Sequence, residues 1–221
     1  MATYDLEEQE QLDELKTWWK MYGNLVTGIL VALALAVIAW QGWNWWQRDQ
    51  AVQASAIYSA VQTAAAQKDA KHARELAGEL IDKYSTTNYA GMAALVAAKV
   101  QVDTGDVRNA RVQLAWAADN AKDRGLRDLA RLRLAAVMLD EKAYDEAMKQ
   151  LAAEPAAPFV PRFAELRGDV FAAQGKTAEA RAAYEAALAK FEAQAKDDES
   201  RQRSGYKDVI EAKRDALGIA K

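Results

Sequence analysis

One uncharged segment near the start of the chain constrains its fold more than any other feature. Between Lys20 and Arg48, 27 consecutive residues carry no charged side chain, and residues 25–40 are almost wholly aliphatic. A helix of about 20 such residues, rising about 1.5 Å per residue, crosses a hydrocarbon core of about 30 Å. The segment therefore predicts one membrane-spanning helix over residues 21–47.

Aromatic side chains cluster at both ends of this segment. Indole rings favour the headgroup region, where the ring is half in an apolar layer and its N–H meets water. The predicted membrane-interface anchors are Trp18, Trp19 and Tyr22 at one end and Trp40, Trp43, Trp45 and Trp46 at the other. An apolar span with an aromatic belt at each end indicates binding to membrane lipid.

Two alternatives fit the apolar segment less well. A core helix of a soluble protein is usually much shorter, and nothing in the neighbouring sequence would enclose it. A cleavable signal peptide has a basic start and small residues after its apolar run. Residues 1–20 instead hold six acidic side chains and two lysines, and the run ends in tryptophans. We therefore predict an uncleaved signal-anchor.

The charges beside the span predict its orientation. Lys16 and Lys20 precede the span, whereas Arg48 alone follows it closely. Basic residues accumulate on the cytoplasmic side, and acidic residues count little in this rule. The sequence thus predicts a cytoplasmic N-terminus, with residues 1–20 as an acidic cytoplasmic tail. That tail forms either a short helix or a solvated extension, and the sequence leaves both open.

Composition excludes several kinds of chemistry. The 221 residues include no cysteine and a single histidine, His72, and the net charge is -3. Disulfides and cysteine-ligated zinc are therefore excluded, and a histidine-based metal site or catalytic triad has little support. The balanced charge gives no general attraction to nucleic acid. Since motifs for nucleotide binding, zinc proteases and hydrolases are also absent, we predict a protein that is not an enzyme and uses no cofactor or metal.

Beyond Arg48 the sequence repeats a helical pattern. Alanines 73, 110, 147 and 180 each follow a polar turn and precede an apolar helical stretch, at spacings of 37, 37 and 33 residues. Alanine supplies 49 of the 221 residues. Small residues let helix axes approach closely, and alanine is also the best helix former. The pattern predicts helix–turn–helix repeats that stack on one another.

These repeats resemble the tetratricopeptide repeat, whose period is about 34 residues. The last copy matches best, the third has Lys142 in place of the turn glycine, and the first is degenerate. The residues that carry the match in the last copy are Gly168, Phe171, Gly175, Ala180, Tyr184 and Ala187. The spacings of 37 imply longer helices or an extended turn. An alanine-rich helical bundle is the alternative.

Prolines and a polar stretch interrupt the helices in the last third of the chain. All three prolines lie between Pro155 and Pro161, where they separate the third helix pair from the fourth. The polar stretch 196–200 interrupts the last helix, and residues 201–218 predict an amphipathic helix through Tyr206, Val209, Ile210 and Leu217. We thus predict an all-α chain with a single N-terminal transmembrane helix, tetratricopeptide-like repeats over 48–195 and a polar C-terminal capping helix within 196–221.

A stack of helix pairs offers a binding surface. The first helices of such pairs line a concave face that receives peptides. Placing the repeat on this sequence predicts a partner- or client-binding face made of Tyr58, Met92, Leu95, Leu129, Leu132, Arg162 and Glu165. The alternative is that these residues belong to the core between helices.

The acidic start 5–11, the entrance to the membrane at 15–20 and the alanine-rich repeats together resemble the YfgM family of ancillary SecYEG translocon subunits. The resemblance implies a bacterial inner-membrane protein with its C-terminal domain in the periplasm. It implies as partners the SecYEG translocon, the periplasmic chaperone PpiD and translocating or unfolded polypeptides. The implied role is to help transfer translocated proteins to periplasmic chaperones.

Three functional hypotheses follow. The first is a non-enzymatic, membrane-anchored adaptor or chaperone at the Sec translocon. The second is a regulatory anchor that sequesters a cytoplasmic stress-response regulator through residues 1–20, a role that the resemblance also implies. The third is a structural scaffold for an envelope complex, without client binding.

Overall fold

The computed structural model describes residues 4–195 and 204–217, with side chains for 12–194 and 205–217. These residues form α-helices and one short 3-10 helix, and they contain no strand, which confirms the predicted all-α class. The helices are α1 (Tyr4–Ala66), α2 (Ala70–Tyr84), α3 (Asn88–Asp103), α4 (Val107–Asn120), α5 (Arg124–Asp140), α6 (Tyr144–Leu151), the 3-10 helix Ala157–Phe159, α7 (Val160–Ala173), α8 (Thr177–Ala195) and α9 (Ser204–Ala216).

Helix α1 contains the apolar segment. The helix is 63 residues long, and the chain divides within it into two compact units, one up to Gln50 and one from Ala51. In the part of the chain that the structure describes, one helix, within Leu12–Ala66, is long and apolar enough to cross a membrane. Most of its large apolar side chains between Leu12 and Trp46 are 41% to 71% exposed, and Val26 is half-buried. Such a surface is stable in lipid, and the helix fits a membrane anchor.

Four turns of the same kind organise the second unit. Lys68, Gly105, Lys142 and Gly175 end α1, α3, α5 and α7 with left-handed backbone, at φ of 59°, 85°, 60° and 74°. In each turn the next amide N–H donates to a carbonyl five residues back, as Asp106 does to Gln101 over 2.7 Å. This is the Schellman arrangement of a helix C-terminus. The turns recur at the spacings of the repeat alanines. Each turn joins the two helices of one pair, so the described part of the unit contains four helix pairs.

The repeat alanines lie inside the apolar clusters of the repeats. Ala73, Ala110, Ala147 and Ala180 are all fully buried. In the last pair, a Cβ on Gly168 would lie 2.5 Å from Cε1 of Tyr184, so α7 and α8 approach more closely than an alanine would allow. Helix pairs that meet through small residues form a tetratricopeptide-like stack, as the sequence predicts.

Two apolar clusters fill the N-terminal and central parts of the stack. The first contains Val61 and Leu80 and joins the end of α1 to α2 and α3. The second contains Leu114, Leu134 and Phe163 and runs from α3 to α7. The half-buried indole of Trp116 on α4 contacts both clusters.

The proline-containing segment separates α6 from α7. Helix α6 has only 8 residues, so the third pair is shorter than its neighbours. The carboxylate of Asp128 on α5 is buried and accepts a hydrogen bond from the Ala156 amide at 2.8 Å. The guanidinium of Arg167 on α7 donates to the Leu151 carbonyl at the end of α6. These contacts hold the connecting segment against α5 and α7 against the end of α6.

Helix α9 closes the end of the stack. Ile210 is fully buried beside α8, and the rings of Phe191 and Tyr206 meet edge to face with centroids 5.2 Å apart. Val209, expected on the same apolar stripe, is 49% exposed. The predicted interruption at 196–200 lies outside the described residues.

Candidate functional site: a groove along the first helices of the repeats

The predicted interface aromatics of α1 lie at its surface in two groups. Trp18 and Tyr22 pack with ring centroids 5.8 Å apart, and Trp43 and Trp46 with centroids 5.3 Å apart. From Tyr22 to Trp40 the helix rises about 27 Å, close to the thickness of a hydrocarbon core. The exposed members of the two groups are Trp18, Trp19, Tyr22, Trp40, Trp43, Trp45 and Trp46.

An open cavity of about 450 Å³ lies between α5 and α7. Its floor is mostly apolar, and its charged groups lie on the α7 side and on Arg133. Four residues that the sequence assigned to the binding face line it, namely Leu129, Leu132, Arg162 and Glu165. The other lining residues are Arg133, Ala136, Phe159, Leu166 and Asp169.

A second cavity, of about 280 Å³, continues the first toward α3. The two share Arg133 and Ala136, so they adjoin along α5, and we call them together the first-helix groove. The second cavity is lined by Ala98, Lys99, Val102, Asp103, Leu114, Arg133, Ala136, Val137 and Asp140. Except for Leu114, all lining residues of the groove belong to the first helix of a pair or to the segment that leads into it.

The other three predicted residues lie elsewhere. Leu95 is 4% exposed and belongs to the central apolar cluster, where its carbonyl accepts a hydrogen bond from Arg133 at 3.3 Å. Tyr58 is half-buried, with its ring centroid 5.6 Å from that of Tyr89. Met92 is half-buried on α3. None of the three lines the groove.

An ion-pair cluster joins the groove to α9. The Lys213 ammonium lies 2.8 Å from both the Glu165 and the Asp169 carboxylates. Burial alone would lower the pKa of Lys213, but hydrogen bonds to Asp169 and Glu165 outweigh it and raise that pKa. The Tyr184 hydroxyl donates to Asp169 at 2.8 Å, and burial together with that carboxylate raises the pKa of Tyr184. The two acids of α7 are therefore already paired within the chain.

Tyr206 of α9 lies at the rim of the groove. Its ring packs under the Arg162 guanidinium, with 4.2 Å from Cζ to the ring centroid, a cation–π contact. Burial, reinforced by nearby Glu165, raises the pKa of the Tyr206 phenol. The hydroxyl itself has no hydrogen-bond partner of good geometry among the described residues.

Sequence reasoning missed part of the groove lining. Arg133 and Ala136 follow Leu129 and Leu132 by four residues each, and this helical spacing places all four on one face of α5. The periodicity was therefore sufficient to find Arg133. Asp169 and its contact with α9 left no comparable signal, because Lys213 lies 44 residues further along the chain.

Comparisons with known proteins agree with this architecture. A family model described as "Tetratricopeptide repeat-like domain" matches residues 16–219. A protein of Neisseria gonorrhoeae named "Ancillary SecYEG translocon subunit" is 33% identical, with 84% of this chain and 90% of the relative aligned. Relatives with the same name are 32% identical in Haemophilus influenzae, over 83% of this chain and 90% of theirs, and 29% identical in Escherichia coli, over 82% and 87%. A solved structure titled "MamA 41-end from Desulfovibrio magneticus RS-1" is similar to 75% of this chain and 89% of its own, at 16% identity and a TM-score of 0.48.

The stacked helix pairs and the apolar N-terminal helix define a membrane-anchored protein of the tetratricopeptide repeat-like class. This fold is typical of proteins that bind other proteins rather than catalyse reactions. Within that class, the chain belongs to the family of ancillary SecYEG translocon subunits, the YfgM family.

Proposed function

We propose that this chain is a membrane-anchored adaptor of the SecYEG translocon that receives translocated polypeptide segments in the first-helix groove. The observation that carries the proposal is the mostly apolar cavity between α5 and α7, which is lined by the half-buried side chains of Leu129, Leu132 and Phe159 beside charged rims. Apolar grooves with polar rims are how helical-repeat proteins hold peptide segments. The names of its relatives support the translocon as the partner.

The proposal places the repeats in the periplasm and the N-terminus in the cytoplasm. Lys16 and Lys20 before the span support this orientation. The anchor, residues 21–47, keeps the groove near the exit of the translocon, and bound segments pass on to the periplasmic chaperone PpiD. In this scheme residues 48–195 are the binding domain and 196–221 complete it.

Orientation has a clean chemical test, because the chain has no native cysteine. Val112→Cys places one thiol on α4, where the native side chain is 62% exposed. In intact spheroplasts a membrane-impermeant maleimide labels it if the repeats are periplasmic. Labelling that requires membrane lysis would reverse the proposed orientation.

Client binding is tested with photocrosslinking residues in the full chain. A photoreactive phenylalanine at Leu132, inside the groove, is expected to crosslink a stalled translocating polypeptide. The same residue at Val112 lies outside both cavities and is expected to give none. Equal crosslinking from both positions, or none from Leu132, contradicts groove binding and favours the scaffold hypothesis. Co-purification with SecYEG and PpiD, measured with both variants, tests the partners separately.

A further inference from the structure

Arg133 lies at the centre of the first-helix groove. It is the charged residue that both cavities share, and its side chain is exposed. Its hydrogen bond within the structure is a long one, 3.3 Å from Nη1 to the Leu95 carbonyl. Among the described residues, no carboxylate lies within ion-pair distance of it.

Arg111, on the neighbouring helix α4, shows the usual arrangement. Its guanidinium lies 2.8 Å from Glu141 and 2.6 Å from Glu146. A guanidinium has five N–H donors in a planar fork that matches a carboxylate with two parallel hydrogen bonds. Arg133 presents the same five donors in the groove, and its hydrogen bond to the neutral Leu95 carbonyl uses one of them.

The carboxylates that line the groove do not form ion pairs with the Arg133 guanidinium. Glu165 and Asp169 are both paired with Lys213, and Asp103 is paired with Lys99 at 2.7 Å. Asp140 lies seven residues further along α5, about 10 Å along the helix axis. None of these carboxylates forms an ion pair with Arg133, so its guanidinium is available to an incoming carboxylate.

We propose that Arg133 binds an acidic side chain of the client, so that the groove selects segments with one Asp or Glu between bulky apolar residues. This inference rests on the proposed function of the groove. The apolar side chains on the two sides of Arg133 match such a segment: Leu129, Leu132 and Leu166 lie on one side, and Val102 and Val137 on the other. The acid supplies the carboxylate partner that Arg133 lacks within the chain, and the flanking apolar residues fill the two cavities.

The test measures binding of short fluorescein-labelled peptides to the full chain in detergent micelles by fluorescence anisotropy. One peptide has a glutamate between two pairs of apolar residues, and the other has a glutamine instead. A charge-assisted hydrogen bond predicts that the glutamate peptide binds about tenfold more tightly. Arg133→Gln is expected to abolish that difference and to leave the affinity of the glutamine peptide unchanged.

Two controls separate the possible outcomes. Arg108→Gln removes the same charge from an exposed position of α4 outside the groove and is expected to keep the tenfold preference. Leu132→Glu is expected to weaken both peptides. If both peptides bind equally well to the native chain and Leu132→Glu weakens them, the role of Arg133 is overturned while the groove remains the binding site. If neither peptide binds, or Leu132→Glu has no effect, the proposed function itself is overturned.

Discussion

The turn between α5 and α6 carries a strain that a single substitution should relieve. Lys142 has φ of 60°, where a residue with a Cβ loses about 1–2 kcal/mol relative to right-handed backbone. Glycine avoids this cost but loses about 0.5–1 kcal/mol more backbone entropy on folding. Lys142→Gly is therefore expected to stabilise the repeats by about 0.5–1 kcal/mol, which for a chain of this size is about 2 °C in melting temperature.

The equivalent turn of the second pair supplies the reciprocal experiment. Gly105 has φ of 85°, and a Cβ built there would meet nothing within 4 Å. Gly105→Ala thus adds backbone strain without a clash and is expected to destabilise by about 0.5–1 kcal/mol. Lys142→Ala is the matched control, because it removes the lysine side chain but keeps the strained Cβ, and it should be close to neutral.

Urea unfolding of the full chain in nonionic detergent, followed by far-UV circular dichroism, measures these differences. Hydrogen exchange of the α5 and α6 amides locates them. Arg111 pairs with Glu141 and Glu146 on the two sides of the turn, so the turn geometry should persist in all variants. Equal stability of Lys142→Gly and Lys142→Ala would show that the left-handed backbone at residue 142 does not destabilise the folded state.

Two further predictions concern the last helix pair and α9. Gly168→Ala is expected to destabilise the folded state by about 1–3 kcal/mol, because its Cβ would lie 2.5 Å from the Tyr184 ring. Gly78→Ala is the control: its Cβ meets open space, and it should stabilise by about 0.5–1 kcal/mol. Urea midpoints compare the two variants, and equal shifts would disprove the close approach of α7 and α8. The raised pKa values of Tyr184, Tyr206 and Lys213 mean that the folded state holds these protons more tightly than the unfolded state. Their contribution to stability is thus complete below about pH 10 and is lost as pH rises through the folded pKa values. Urea midpoints measured at increasing alkaline pH should fall, and a Tyr184→Phe, Tyr206→Phe variant whose decline is just as steep would contradict this.

The sequence was sufficient for the anchor and for the helix pairs. Both depend on patterns that are local: an uncharged run with aromatic ends, and alanines that recur with the repeat. The equivalence of the four turns was harder to see, because Lys68 and Lys142 occupy left-handed positions where glycine is usual. Backbone geometry, rather than residue type, identifies these turns as copies.

The candidate groove was predictable only in part. Placing the repeat on the sequence assigned Leu129, Leu132, Arg162 and Glu165 to one surface, and these four line the same cavity. The same placement assigned Leu95 to that surface, but Leu95 is buried in the central apolar cluster. The packing of α3 against α5 decides which apolar residues remain accessible. The pairing of α7 acids with Lys213 depends on how α9 folds back, and no local pattern encodes it.

The position of Trp116 gives the repeats a built-in optical reporter. Six of the seven tryptophans lie in or beside the apolar segment, and Trp116 is the only one in the repeats. Its indole touches both the N-terminal and the central apolar clusters. In a chain whose other six indoles are replaced by phenylalanine, its emission would come from the junction of these two clusters. A red shift would then mark the entry of water at that junction, even while the helices themselves remain folded.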